Sequence, residues 1–361
     1  MTSQSQALRP IGLRSASKVL VNVQALRAIA ALLVVLAHVG GFELKTFGEG
    51  AHWLAAFHQI GSTGVDIFFV ISGIIMVVTT SGAKRGLESS VDFLWRRIKR
   101  VYPPYFIVTA AVFAVYLWNP SMVNSSQAAP PDPLASFLLL PQPGLPLLLV
   151  GWTLVFEMYF YIVFAMGLLV RKAAFPAVLG AWALATASLA ALQPEGYLME
   201  FFANPLHFEF LFGAVIGYFF VNGKLWKPGL ITLVGTVVSL TVWALMATGM
   251  VPGIDDPWFR VFAIGVSLAA VVYGLIGLEN SGEFRFAQWL VKLGDSSYSL
   301  YLTHVLTIAV FGIAFEAIPK TPATHLGALV ALLIACIIGG LVFYHLVERP
   351  LVRLLKRGNR S

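Results

Sequence analysis

The sequence predicts an all-α integral membrane protein with about ten transmembrane helices. The first observation is composition: 58% of the 361 residues are hydrophobic, only 11% are charged, and the mean hydropathy is +0.82. Soluble domains carry about 25% charged residues, so most of this chain is expected to lie in lipid. The second observation is that apolar runs of about 20 residues, the length that crosses a bilayer as a helix, recur from one end to the other.

Ten such runs are separated by short polar segments, and no stretch remains that could form a soluble domain. The longest polar stretch is the proline-rich loop from Asn119 to Pro146. We expect one membrane domain over 1–361, with a tail at 1–20, a helix bundle at 21–346 and a basic tail at 347–361. The predicted spans are 21–41, 63–81, 102–118, 147–169, 174–192, 206–222, 228–247, 259–278, 297–316 and 325–346.

The distribution of basic residues predicts the orientation of the bundle. If the N-terminus is cytoplasmic, all but three of the 24 lysines and arginines fall on the cytoplasmic side, the exceptions being Lys45, Arg260 and Lys320. Cytoplasmic loops carry such an excess, so we expect both termini in the cytoplasm and the protein in a bacterial inner membrane. The net charge of +7 then belongs to a membrane face. No nucleic-acid-binding signature accompanies it, which argues against nucleic acid as a partner.

Cysteine usage and the first apolar run limit the chemistry further. The single Cys336 excludes an intrachain disulfide and a cysteine metal cluster, and no helix carries a paired set of ligands, so no metal is expected. The first run lacks a small-residue cleavage site, which predicts an uncleaved signal-anchor. The oligomeric state is left open, a homo-oligomer being one alternative.

Two ionisable residues lie within the first predicted span, in "LRAIAALLVVLAHVGG". Arg27 and His38 are eleven positions apart, which is about 20° past three helical turns, so they share one face about 16 Å apart along the axis. A charge at the centre of a bilayer costs about 2.5–3.5 kcal/mol or more. One interpretation is a snorkelling arginine and an interfacial histidine. The other is a stripe that binds an extended anionic ligand at Arg27 and reacts at His38.

Two carboxylates in other spans are candidates to meet this stripe. Asp66 opens the second span in "GSTGVDIFFVISG", at the depth expected for His38, although a helix-initiating aspartate is an equal alternative. Glu157 lies deeper in the fourth span, in "GWTLVFEMYFYIVF", where an unpaired glutamate favours a functional role. A carboxylate beside a neutral imidazole is a common arrangement for a general base. Trp152 and Tyr159 flank Glu157 as candidate supporting or substrate-binding residues.

A basic turn precedes the third span in "FLWRRIKRVYPPY". Arg97 and Arg100 are three apart, so on a helix they point together and could clamp a phosphate bidentately. Basic residues also flank cytoplasmic helix ends for topological reasons alone, which is the alternative. Pro103 and Pro104 suit the first turn of the helix that follows, because proline lacks the N–H group that such positions do not need.

The last two spans carry further polar residues. In "GDSSYSLYLTHV", Tyr298, Tyr301 and His304 recur at a spacing of three and line one side, either as an interhelical hydrogen-bond seam or as part of a site. In "HLVERP", Glu348 and Arg349 lie at the cytoplasmic edge, where a structural ion pair is the favoured interpretation. Pro350 is expected to end this helix.

Taken together, these motifs resemble the family-3 integral-membrane acyltransferases, which O-acetylate bacterial surface and exported polysaccharides. The resemblance covers the whole chain. It rests on Arg27-x10-His38, "GVDIFFVISG", "RRIKRVYPPY" and "WTLVFEMYFY", in that order and on the expected sides of the membrane, with "SYSLYLTH" and "VERP" agreeing. The opening "VNVQALRAIAALLVVLAH" looks most like the exopolysaccharide-modifying acetyltransferases of rhizobia and their relatives. Some family members carry a fused extracytoplasmic domain, which we expect here only as a separate partner.

The resemblance implies a mechanism for this chain. The family is similar in using acyl-CoA, usually acetyl-CoA, as a cytoplasmic donor, whose phosphates would lie against Arg97 and Arg100 with Arg27 nearby. The family's histidine corresponds to His38, the expected general base on the acceptor hydroxyl, with an acyl-histidine intermediate as a variant. Glu157 is expected to orient His38 or the sugar, and Asp66 to give a supporting hydrogen bond. The acceptor is a polysaccharide or a lipid-linked oligosaccharide, and the remaining partners are membrane lipids.

Two other functions fit parts of the pattern. Buried arginine, histidine and carboxylates also build the pathway of a secondary transporter or flippase for a glycolipid, but no internal repeat is visible. The membrane-bound O-acyltransferases also use a buried histidine, yet the order of motifs differs. The sequence leaves the acceptor sugar, its membrane face and the choice between acetyl, succinyl and longer acyl groups open.

Overall fold

The structure, a computed structural model, describes residues 20–47, 54–123, 129–316, 318–319 and 321–357. All regular structure in these ranges is helical, without strands, and it includes ten helices long and apolar enough to cross a membrane. These are α1 (Val21–Phe47), α2 (Phe57–Thr80), α3 (Leu87–Trp118), α4 (Gly151–Leu169), α5 (Lys172–Ala191), α6 (Tyr197–Val221), α7 (Pro228–Ala247), α8 (Pro257–Ser281), α9 (Ser297–Phe315) and α10 (Thr324–Leu355). The predicted fold class is confirmed. The basic residues expected before position 20 and after position 357 lie outside the described ranges.

Helices α1, α2 and α6 form the closely packed centre of the bundle. A methyl group at Gly64 would lie 2.3 Å from the carbonyl oxygen of Ala30, and one at Gly61 would lie 2.3 Å from that of Leu33, so α2 runs antiparallel to α1. At the contact of α2 with α6, a methyl group at Gly213 would lie 2.0 Å from the carbonyl oxygen of Val70. Small residues permit such close backbone approach, which is the usual basis of helix packing in membranes.

The remaining helices surround this centre at different depths. Helices α5 and α7 are peripheral: most of their residues are not buried inside the bundle, and they expose large side chains such as Leu184 and Leu233. The first N–H groups of α1, on Val21 and Asn22, each donate to a carboxylate oxygen of Glu279 at 2.8 Å. A helix end leaves such groups unsatisfied, so Glu279 attaches the start of α1 to the end of α8.

Two helices continue through prolines that the sequence predicts as boundaries. Pro103 and Pro104 lie inside α3, which begins at Leu87 rather than at residue 102. Proline has no N–H group, so the usual helical bonds to the carbonyl oxygens of Lys99 and Arg100 are not made. One turn of α3 beside the prolines is bound to α9, because Tyr298 donates to the carbonyl oxygen of Val101 at 2.7 Å. Pro350 does not end α10 either.

A π-helical segment explains why α10 tolerates Pro350. Residues Tyr344–Glu348 are π-helical, and the N–H group of Arg349 bonds to the carbonyl oxygen of Tyr344, five residues back. The hydrogen-bond register changes just before the position where proline would interrupt an α-helix, so the helix continues to residue 357. We call the end of the bundle at which α1 begins the basic end, because Arg97 and Arg100 lie there, and the opposite end the far end.

Candidate active site

A cavity of about 290 Å³ opens at the basic end between α1, α2, α3, α4 and α9. Its mouth includes Gln24 of α1 and Thr79 of α2, and its deep wall includes Val65 of α2 and Thr153 of α4. Because Thr79 and Val65 are fourteen residues apart on one helix, the cavity extends about 21 Å along the bundle axis. It is therefore a long, narrow chamber rather than a surface dent.

Three arginines line this cavity. Arg27 comes from α1, while Arg97 and Arg100 come from successive turns of α3, as their spacing of three predicts. Arg97 Nη2 lies 3.4 Å from Thr79 Oγ1, and its guanidinium packs over the ring of Tyr161 at 5.8 Å. Three positive charges around one opening attract an anion.

The other basic residues of the same turn do not line the cavity. Arg96 forms an exposed ion pair with Asp92, and Lys99 lies over the ring of Trp95 at 5.0 Å. The cluster in "RRIKR" is thus divided between two sides of α3, and only two of its four charges reach the cavity.

Glu157 lies in the wall of the cavity and faces these arginines. Its carboxylate accepts a hydrogen bond from Ser72 at 3.0 Å and another from Tyr161 on its own helix. It is close enough to Arg27 and Arg97 to act on their charges. The resemblance implies that Glu157 orients either His38 or the sugar, and no direct contact joins Glu157 to His38 in the described part of the chain.

Tyr301 closes the deep end of the cavity. Its hydroxyl lies 2.6 Å from Thr153 Oγ1 and donates to the carbonyl oxygen of Val150 at 3.0 Å. Its ring packs edge-on against Phe68 at 5.8 Å on one side and lies 5.9 Å from the ring of His304 on the other. One aromatic side chain therefore separates the cavity from the histidine pair described next.

His38 and His304 contact each other beyond this tyrosine. Their ring centroids are 4.8 Å apart, and His304 Nε2 lies 3.4 Å from His38 Nδ1. His38 Nδ1 is also 2.8 Å from the carbonyl oxygen of Val34, and His304 Nδ1 is 3.1 Å from that of Leu300. His304 is fully buried, whereas His38 is partly exposed. A carbonyl oxygen only accepts, so Nδ1 carries the proton in both neutral rings.

Asp66 is used differently from the prediction. Both of its carboxylate oxygens accept hydrogen bonds from Arg260 of α8, at 2.8 to 3.2 Å, and both side chains are buried. The fully buried Glu209 of α6 faces the same pair, with one of its oxygens against Gly265. Arg260, which the sequence places at the outer surface, is therefore a buried partner within the bundle.

The expected common depth of Asp66 and His38 is wrong. Gly64 lies against Ala30, so Asp66 lies on the Arg27 side of that level, about two helical turns or 12 Å from His38. His58 is the residue of α2 at the level of His38, and its Nδ1 lies 3.2 Å from the carbonyl oxygen of Ala37. Counting residues from the ends of the predicted spans cannot give these relative depths, because the packing of two helices sets their relative register.

The two other predicted residues of α4 belong to an aromatic cluster. Tyr159 packs against Trp182 and Phe201 at 5.8 and 5.5 Å, and Trp152 packs edge-on against Phe156 at 5.8 Å. The cluster also surrounds His207, a buried histidine outside the predicted site residues. Neither Trp152 nor Tyr159 is among the described side chains that line the cavity.

Two carboxylates outside the predicted set also have buried partners. Glu43 of α1 lies 2.7 Å from His325 Nε2 at the far end, with the ring of Phe47 stacked on His325 at 3.9 Å. Glu348 accepts from Ser299 at 2.5 Å, rather than pairing with Arg349. Their presence in apolar helices is a signal that could have selected them.

Comparisons with known proteins fall on one family. Residues 20–345 match the family model described as an acyltransferase domain. The chain is 32% identical over 304 residues to the exopolysaccharide production protein ExoZ of Rhizobium meliloti (strain 1021), covering 81% of this chain and 90% of that protein. It is 27% identical over 376 residues to the acyltransferase MdmB of Streptomyces mycarofaciens, covering 93% and 92%. No solved structure matches.

Proposed function

Because this chain belongs to the integral-membrane acyltransferase family, we propose that it transfers an acetyl group from acetyl-CoA to a hydroxyl of a polysaccharide or of its lipid-linked precursor. The observation that carries the proposal is the convergence of Arg27, Arg97 and Arg100 on one cavity that extends towards His38. In this proposal the basic end is cytoplasmic and the protein lies in a bacterial inner membrane, in agreement with the positive-inside pattern.

The cavity suits a donor with a charged head and a long, thin arm. The phosphates of acyl-CoA bind at the mouth, where guanidinium groups form bidentate, charge-assisted hydrogen bonds. The pantetheine arm enters the chamber beside Glu157, whose charge acts on Arg27 and Arg97. The acyl group then lies near Tyr301, one ring away from the histidine pair.

His38 supplies the base for the transfer. With its proton on Nδ1, the Nε2 lone pair takes the proton of the acceptor hydroxyl while that oxygen attacks the thioester carbonyl carbon. The tetrahedral intermediate collapses with cleavage of the C–S bond, and the CoA thiolate takes the proton back from His38. The products are an ester and CoA thiol, so neither an oxidant nor a reductant is required.

The acceptor is proposed from the similarity to a protein of exopolysaccharide production. His38 is partly exposed near the far end, where an acceptor approaches from the side opposite to the donor. The rival function is a secondary transporter or flippase for a glycolipid, which would use the same buried charges without consuming an acyl donor.

Binding of acetyl-CoA to the purified protein in detergent tests the proposal. We expect saturable binding by the wild type, and at least tenfold weaker binding by Arg97→Ala/Arg100→Ala, because two phosphate contacts are lost. The matched control is Arg96→Ala/Lys99→Ala, which removes two charges from the same turn of α3 but from the side that does not line the cavity.

The control variant should bind as the wild type does. Equal weakening in both double variants would mean that only the net charge matters, which contradicts a donor site in the cavity. No binding by a folded wild type would favour the transporter.

A further inference from the structure

We infer that His304 is a positioning residue that acts through His38. Its Nε2 accepts a hydrogen bond from the Nδ1–H group of His38 and so keeps the Nε2 lone pair of His38 available to the acceptor hydroxyl. This inference rests on the proposed function, in which His38 is the base. His304 itself touches neither donor nor acceptor in this scheme.

The hydrogen-bond pattern of the two rings supports this assignment. His304 Nδ1 is 3.1 Å from the Leu300 carbonyl oxygen and therefore carries the proton, which leaves Nε2 as an acceptor. The group that this acceptor meets, at 3.4 Å, is His38 Nδ1, which also points at the Val34 carbonyl oxygen. The Nδ1–H group of His38 is thus shared between two acceptors, and the opposite tautomer would lose both.

The same arrangement supports the protonated state of His38 during the reaction. An imidazolium ion in a membrane interior is costly unless hydrogen-bond acceptors surround it. Among the described residues, the titratable groups near the pair are His58 on α2, Tyr301 on α9 and Cys336 on α10, whose Sγ lies 3.9 Å from the His304 carbonyl oxygen. None of these three is a carboxylate, and in the described part of the chain the side-chain acceptor at His38 Nδ1 is the lone pair of His304 Nε2.

His304 differs from the tyrosines with which it shares a helix face. Tyr298 and Tyr301 each donate to a backbone carbonyl oxygen of another part of the bundle, at Val101 and Val150, and so bind α9 to its neighbours. His304 instead bonds to its own helix and to the side chain of His38. All three residues therefore join helices, but the tyrosines end on backbone carbonyl oxygens, whereas His304 ends on the ring of the proposed base.

Two variants of His304 test the inference in a transfer assay with purified protein. His304→Phe keeps a ring but has no acceptor, and we expect kcat to fall roughly 10- to 100-fold, part of what a general base contributes. The KM for acetyl-CoA should not change, because the cavity is intact. His304→Gln offers an amide oxygen in place of Nε2 and should recover most of the lost kcat.

Two controls separate this inference from the proposed function. Thr307→Val removes a hydrogen bond from the next turn of α9, to the Thr303 carbonyl oxygen, and should transfer at the wild-type rate. His38→Ala should abolish transfer. If His38→Ala stays active, His38 is not the general base and the proposed mechanism is wrong. If His38→Ala is inactive and His304→Phe keeps the wild-type kcat, the inference about His304 alone is wrong.

A spectroscopic measurement keeps the inference testable if His304→Phe fails to fold. In nitrogen-15 NMR of histidine-labelled wild type, the signals lost in His38→Ala belong to His38. We expect a protonated Nδ1 and an unprotonated Nε2 for this ring. The opposite tautomer, or equal populations of the two, would overturn the inference.

Discussion

Asp66 and Glu157, the two carboxylates predicted to lie near His38, have different surroundings in the structure. Asp66 is fully buried and is bound on both oxygens by Arg260, with Glu209 packed beside the pair. Glu157 lies in the wall of an open cavity, where hydroxyl groups of Ser72 and Tyr161 donate to it and arginines face it across the space. Both residues are acidic groups inside apolar helices.

The difference is that the first carboxylate is closed off and the second is accessible. In a buried ion pair, each charge compensates the other. Removal of one partner leaves the other as an unpaired ion in surroundings that solvate it poorly. A carboxylate beside open space can act on a ligand that enters that space. For these two carboxylates, the open space beside the side chain therefore separates a candidate for contact with a ligand from a partner within the bundle.

The largest effect is expected from breaking the closed pair. Arg260→Leu leaves Asp66 buried without its partner, and we expect a loss of about 3–5 kcal/mol of stability. Thermal unfolding in detergent, followed by loss of the monodisperse species, measures it. The double variant Asp66→Leu/Arg260→Leu should recover most of the loss. A stable single variant would show that Asp66 is solvated and that the two regions do not differ.

An intermediate effect is expected from neutralising the open carboxylate. Glu157→Gln keeps the size and one acceptor oxygen but loses the charge that faces Arg27 and Arg97. We expect transfer to fall about 10- to 100-fold, the range of about 1.5–3 kcal/mol for a hydrogen bond to a charged group, with unfolding temperature nearly unchanged. The transfer assay with purified protein measures it.

Glu279→Gln is the matched control for this variant. Glu279 accepts from the backbone N–H groups that begin α1 and does not line the cavity, so its neutralisation should lower stability and leave transfer unchanged. Loss of transfer in both variants, in parallel with loss of stability, would assign Glu157 a structural role only.

The smallest effect is expected from removing a donor to Glu157. Ser72→Ala deletes the hydrogen bond of 3.0 Å to the carboxylate, and we expect transfer to fall about three- to tenfold, which corresponds to about 1 kcal/mol. The control is Ser239→Ala, which removes a buried bond of 3.0 Å to Ser267 between α7 and α8. If both serine variants change transfer equally, the bond to Glu157 has no special role.

Much of the fold was predictable because the signals are local. Length and hydropathy located all ten spans, since a helix in lipid must satisfy its own backbone hydrogen bonds within one continuous segment. The errors are at prolines. Pro103 and Pro104 remain inside α3, and Pro350 remains inside α10, where a π-helical segment precedes it. Neither outcome can be read from the neighbouring residues.

Residue spacing predicted the candidate site only within single helices. The spacing of Arg97 and Arg100 placed both on the cavity side of α3, as expected for residues three apart. The partner of Asp66 lies 194 positions away in Arg260, and the neighbour of His38 lies 266 positions away in His304. The pattern of residues within one span cannot predict contacts between residues so far apart in the chain.

The sequence by itself determined that this chain forms ten membrane helices, which residues within them are ionisable, and which of those share a helix face. These properties depend on segments of about 20 residues and on a fixed helical repeat. Only the tertiary structure decided that Asp66 is neutralised by Arg260, that Glu157 borders a cavity and that His38 meets His304. Those outcomes depend on the register and rotation of packed helices, which are set at close contacts such as that of Gly64 with Ala30. In lipid, helices associate through such packing and through hydrogen bonds between helices.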